Sequence, residues 1–289
     1  MRIESDPAMP NPESRLPNPG PIAFIGGGNM ARSLIGALIR GGADARTIAV
    51  AEPSAELRAS LQRDFAVATH AANADAVAHA KTVILAVKPQ VMREVCTGIA
   101  AAMTSTQPLV ISIAAGIRLD QLQTWLGGAL PIVRSMPNTP ALIGAGATGM
   151  IANAACSEAQ RTLAERILGA AGRTAWIADE ALMDTVTALS GSGPAYFFLL
   201  VEALEDAAVA QGMPRETARM LASQTCLGAG RMLAESGEAP ATLRERVTSP
   251  GGTTAAALAA FDAGGLRELV ADAIRAATRR GQELSSRDP

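Results

Sequence analysis

The chain has 289 residues, enough for two domains, with a formal net charge of −2 and no basic block, which argues against a nucleic-acid partner. No apolar run reaches the length of a membrane span, and no membrane partner is expected. Cys96, Cys156 and Cys226 are scattered and odd in number, and the histidines are His70 and His79; this gives neither a disulfide framework nor a metal site and fits a reducing cytoplasm.

Residues 1–20 carry Pro7, Pro10, Pro12, Pro17 and Pro19 with Asn11 and Asn18. They lack the basic start and apolar core of a signal peptide and read as a disordered leader. Residues 21–25 form an apolar run of strand length. Gly26-Gly27-Gly28-Asn29-Met30-Ala31 follows, then residues 33–39 at helical spacing. This is G-x-G-x-x-A between strand and helix, the context of a dinucleotide fingerprint. Gly26 makes the tight turn, Gly28 lets the backbone approach a pyrophosphate, Asn29 and Met30 open the helix, and Ala31 packs it close to the strand. A P-loop is excluded because Gly-Lys-Ser/Thr is missing. A second strand at 47–51 ends on Glu52, placed to accept from a ribose 2′-hydroxyl.

The alternation continues with a helix at 54–64, a strand at 66–69 and a helix at 73–80. Further strands fall at 82–87, 109–114, 132–135, 148–152 and 174–177. The intervening helices fall at 91–103, 121–126 and 158–171. The pattern predicts an α/β fold over 21–178: a Rossmann-type dinucleotide-binding domain with a parallel sheet covered on both faces. Ligands of such sheets lie beyond the carboxyl ends of the strands. That places Val87-Lys88-Pro89, Ala114-Ala115 and Asn138 among the cofactor candidates. Lys88 would meet phosphate or ribose. Asn138, between two prolines, would meet the nicotinamide carboxamide or simply sit in a stiffened loop.

From 179 to 289 the strands stop. Helices are expected at 181–189, 195–211, 215–235, 254–262 and 266–284, their starts and stops marked by Gly193-Pro194, Gly212, Pro214, Gly237, Pro240 and Gly264-Gly265. Glu180, at the start of this region, joins the candidate substrate-binding set. Ser190-Gly191-Ser192-Gly193-Pro194 offers Ser192 as a helix cap, with Ser190 and Ser192 as donors to a bound anion or as cap alone. Tyr196 to Val201 is apolar on nearly every side, so the helix is buried in a bundle or, the favoured reading, against a second subunit. Val247-Thr248-Ser249-Pro250-Gly251-Gly252-Thr253-Thr254 breaks the chain just before an alanine-rich helix. Free N–H groups at a helix start favour an anion. Ser249, Gly252, Thr253 and Thr254 therefore read as a seat for a small carboxylate, against the plainer reading of a capped helix.

These motifs stand in the order and spacing of a known family. With Leu85-Ala86-Val87-Lys88-Pro89, Ser112-Ile113-Ala114-Ala115-Gly116 and Met136-Pro137-Asn138-Thr139-Pro140, they make the chain resemble pyrroline-5-carboxylate reductase over about residues 21–284. The resemblance implies NADPH- or NADH-dependent reduction of a cyclic imine to L-proline. It implies that Thr254 hydrogen-bonds near the imine nitrogen and that Gly252 and Thr253 hold the carboxylate. It implies cofactor contacts at Asn73, Lys88 and Ala114–Ala115, and a helical C-terminal homodimer assembled further into a ring, a decamer. The chain departs from the family at Ala51-Glu52, where many members carry hydroxyl or basic residues, and at Arg246; Arg46, Arg58 and Arg246 are candidate countercharges for a 2′-phosphate. A hydroxyacid dehydrogenase of the same plan would need a lysine in the helical region, whereas Lys81 and Lys88 both lie before it. A non-catalytic dinucleotide sensor would not need the serine and threonine sites.

Overall fold

The computed structural model describes residues 20–286; the expected leader, apart from Gly20, lies outside the described residues. The chain forms two compact units. The first comprises residues 20–191 with 278–286, and the second residues 192–277.

The first unit holds eight strands in one sheet: β1 (Ile22–Ile25), β2 (Ile48–Ala51), β3 (Ala68–His70), β4 (Thr82–Leu85), β5 (Leu109–Ser112), β6 (Ile132–Met136), β7 (Gly146–Ala152) and β8 (Gly172–Trp176). Their order is β3-β2-β1-β4-β5-β6-β7-β8. Each overlaps a strand expected from the sequence. Alternate residues serve opposite faces. Ile22 and Phe24 pack with α1 (Asn29–Arg40), α2 (Ala55–Phe65) and α6 (Glu158–Gly169). Ala23 and Ile25 pack with α3 (Asn73–Val77), α4 (Pro89–Met103) and α5 (Leu119–Trp125). The central strands β1, β4 and β5 are buried on both faces, as a doubly wound sheet requires, and a fully buried side chain such as Phe24 contributes about 1.5–3 kcal/mol.

The sheet is not wholly parallel: β7 runs antiparallel to β6, pairing Arg134 with Ile151 and Ser135 with Met150. The segment between them, with a short 3-10 turn at Thr139–Ile143, is no crossover helix, so it can only return the chain alongside β6. The α6 crossover then restores parallel pairing to β8.

The first unit continues past residue 178, beyond the boundary the sequence suggests. The short helix α7 (Met183–Val186) and a π-helical turn at Thr187–Gly191 pack on the sheet. Gly149 makes room for them: a Cβ there would lie 2.5 Å from a Val186 methyl. Gly191 in turn accommodates the Met136 Cε, 2.6 Å from a Cβ placed on it.

The second unit is helical: α8 (Gly193–Ala210), α9 (Arg215–Glu235), α10 (Pro240–Arg246), α11 (Thr253–Ala263) and the first part of α12 (Leu266–Ser285), which ends in the first unit. α10 is unforeseen as a helix, though it starts at Pro240, one of the boundary markers in the sequence. α8 and α9 bury few residues: Gly193 and Glu205 on α8, Ala218 on α9. Phe197, Phe198 and Leu199 stay more than half exposed. No described helix is long and apolar enough to cross a membrane.

Candidate active site

Parallel register brings the ends of β1, β2, β4 and β5 level: Ile25 pairs with Ala51 and with Leu85, and Leu85 with Ser112. The residues that follow these strands therefore share one sheet edge. They are Gly26–Met30, Glu52, Val87–Pro89 and Ala114–Ala115, with Asn73 after β3 and Asn138 after β6. The chain leaves β1 toward β2 and later returns to β4 on the other side, so the edge beside β1 is the switch point where dinucleotides bind.

Gly26 must be glycine: its φ is +99°, and a Cβ would stand 2.7 Å from the Ala86 carbonyl oxygen. Gly28 is exposed and a Cβ there would meet nothing within 4 Å. It precedes α1 with no side-chain cap and no acidic residue in the first turn. The helix start is thus open to an anion, and these residues fit a dinucleotide pyrophosphate. Lys88 is exposed at the start of α4, Pro89 is its first residue, and Ala115 is exposed beside buried Ala114.

Glu52 is buried and faces the glycine turn. Its Oε2 accepts from Gly27 N–H at 2.9 Å and its Oε1 from Ser54 N–H at 3.0 Å. The carboxylate therefore holds the loop before it can serve a ribose. Of the candidate countercharges, Arg46 pairs with Asp44 at 2.7 Å and Arg246 with Glu238 at 2.6 Å. Arg58 lies beside Glu52, donating to the backbone oxygens of Glu52 and Pro53 at 2.6 and 2.8 Å.

Asn138 takes the loop-bracing role the sequence left open, while Glu180 and Ser192 differ from the sequence reading. The Asn138 amide is nearly buried and joins two segments, donating to Ser190 O and accepting from Ala147 N–H, both at 2.9 Å. It brings Ser190 to the same end of β6, while the Ser190 hydroxyl donates to Val186 O at 2.9 Å. Glu180 pairs with Arg134 at 2.8 Å and accepts from Leu119 N–H at 2.8 Å with the same oxygen, a structural anchor for the start of α5. Arg134 escaped the sequence reading; a lone charge inside the apolar strand β6 is the signal for such a buried pair. Ser192 does not cap α8: it has helical φ and ψ and no side-chain cap bond, because the π-helical turn before it keeps the chain helical.

In the second unit, Ser249-Pro250-Gly251-Gly252 forms a tight turn closed by Gly252 N–H to Ser249 O at 3.0 Å. Proline at the second position and Gly251 at φ +72° are what a type II turn demands. Gly252 also lies against Ser249, whose Oγ would be 2.4 Å from an added Cβ. Gly252 then precedes α11 with no side-chain cap and no acid in the first turn. The N–H groups of Thr253, Thr254 and Ala255 have no acceptor within the helix, and two threonine hydroxyls flank them. The arrangement suits a carboxylate beside a neutral hydrogen-bonding group.

Among the described residues no cluster of ligating side chains could hold a metal ion. Burial pushes the Cys96 thiol up to about 12, which makes it a core residue rather than a nucleophile.

Residues 180–284 match the family described as pyrroline-5-carboxylate reductase dimerisation, and residues 21–116 match NADP oxidoreductase, coenzyme F420-dependent. The chain is 52% identical to the pyrroline-5-carboxylate reductase of Pseudomonas aeruginosa, over 91% of this chain and 96% of the relative. It is 47% identical to that of Haemophilus influenzae, over 92% and 97%. A solved pyrroline-5-carboxylate reductase from Coxiella burnetii matches with a TM-score of 0.91 at 43% identity, over 93% of this chain and all of that one. The NADP-bound pyrroline carboxylate reductase of Plasmodium falciparum matches with a TM-score of 0.79 at 29% identity, over 92% and 98%. The chain belongs to the pyrroline-5-carboxylate reductase family.

Proposed function

We propose that the chain reduces L-1-pyrroline-5-carboxylate to L-proline with NADPH or NADH, the final step of proline synthesis. Family membership supports the reaction, and the observation that carries the site is the uncapped start of α11 with its paired threonines. When bound, the reduced nicotinamide supplies a hydride.

Gly26, Gly28, Asn29 and Met30 hold the pyrophosphate at the start of α1. Asn73, Val87, Lys88, Pro89, Ala114 and Ala115 line the same edge, and Asn138 and Glu52 fix its backbone. The N–H groups after Gly252, with Ser249 and Thr253, hold the substrate carboxylate, and Ser192 adds a donor. An imine that is already protonated needs no strong acid. The Thr254 hydroxyl accepts from the iminium N–H and fixes the face presented, and that proton stays on the amine of proline. A neutral imine needs a proton from water or Tyr196, with Thr254 as relay.

Residues 179–289 serve substrate binding and dimerisation. The exposed apolar side chains of α8 support a homodimer, with a ring decamer as the larger assembly. The three free cysteines support a cytoplasmic setting.

Thr254→Ala tests the site. It should lower kcat/KM about 10- to 10³-fold while cofactor binding persists, the loss of one positioned hydrogen bond. An unchanged kcat/KM in a folded variant removes Thr254 from the mechanism.

A further inference from the structure

The end of α12 meets the turn that follows β5. Ser285 is buried, at 5% exposed. Its carbonyl accepts from Arg118 Nη1 at 2.8 Å, and its hydroxyl donates to Asp184 Oδ1 at 3.0 Å. Gly281, one turn earlier, lies against Asp184, whose Cβ and Oδ1 would be 3.1 Å from an added Cβ. The same turn of α12 backs Gly116. A Cβ on Gly116 would lie 3.9 Å from Ser285 Oγ and 4.0 Å from the Leu284 carbonyl carbon.

Gly116 has φ +77°, so the Ala114–Gly116 turn depends on a conformation few residues adopt. The turn is gripped just beyond its end. Arg118 reaches Ser285, and Leu119 N–H reaches the Glu180 carboxylate that Arg134 also holds. Arg118 further forks onto Asp120 at 3.0 and 3.1 Å, which fixes its guanidinium for the Ser285 carbonyl.

We propose that the last turn of α12, through Ser285, Arg118 and Asp184, is a positioning element for the Ala114–Gly116 turn and so for dinucleotide binding. The inference rests on the cofactor reading of that turn. None of the three residues touches the reacting atoms. They hold the backbone in its binding shape, so that less ordering accompanies binding.

The test uses the full chain and Arg118→Leu, Arg118→Lys and Ser285→Ala. Calorimetric titration gives Kd for NADPH and NADH, and steady-state assays give KM for pyrroline-5-carboxylate at saturating cofactor. Arg118→Leu and Ser285→Ala should raise the dinucleotide Kd about three- to tenfold, the loss of one net hydrogen bond. Arg118→Lys should recover most of the affinity, and the substrate KM should stay within about twofold. A lowered Tm with unchanged Kd would mean a purely structural contact and overturn the proposal. So would a change confined to the substrate KM. A wild-type chain that binds neither dinucleotide would overturn the cofactor reading as well, which separates the two failures.

Discussion

The Glu52 carboxylate accepts the backbone N–H of Gly27 at 2.9 Å, tying the end of β2 to the glycine turn after β1. A side chain that sequence pattern assigns to a ribose is thereby also a strut of the glycine turn. Removing it leaves a buried N–H without its partner, a cost of about 1–3 kcal/mol. Glu52→Ala should therefore weaken NADH and NADPH together, by about tenfold each, as read by equilibrium titration. A variant that keeps its NADH affinity and gains only in NADPH affinity would show that the carboxylate acts on the 2′ position alone.

The apolar surface of α8 calls for a partner. Phe198 is 67% and Leu199 65% exposed in the single chain. A contiguous patch of this kind marks an interface, and a carboxylate buried within one is costly. Phe198→Asp should turn the assembly into monomer by light scattering and lower activity at least about tenfold. An unchanged mass would place the interface elsewhere.

Glu205, on α8, sits between Arg219 and Arg215 of α9 at 3.0 and 2.9 Å. The Arg219 guanidinium first, and Arg215 after it, hold the Glu205 carboxyl below its ordinary value. A depressed folded-state pKa contributes stability that is present above the unfolded value, about 4.3, and is lost as pH falls through the folded value. The Tm gap between wild type and Glu205→Gln should be widest near neutral pH, narrow in acid and shrink with salt. A gap independent of pH would show that packing, not charge, holds the two helices.

Much of this fold was legible in the sequence because short β-branched apolar runs such as Val83-Ile84-Leu85, alternating with helical periods, mark strands buried on both faces. Glycine spacing located the tight turn after β1, and Ser249-Pro250-Gly251-Gly252 located the start of α11, since each demands a backbone conformation few other residues adopt. The antiparallel direction of β7 went unread although no helix was expected between the strands at 132–135 and 148–152, a link too short for a parallel crossover. The partners of Glu52, Asn138 and Glu180 were hidden. Each is a long-range hydrogen bond, such as Glu180 to Arg134, and no local pattern encodes it. Ser192 misled because a cap motif looks the same whether or not the preceding turn is already helical.

The most direct measurement of the central claim supplies the purified chain with pyrroline-5-carboxylate and, separately, NADPH and NADH, following dinucleotide oxidation and proline together. The account predicts turnover with at least one of the two, one L-proline formed for each dinucleotide oxidised, and loss of both signals in step in Thr254→Ala. Binding of dinucleotide without turnover, or oxidation without proline, would contradict it.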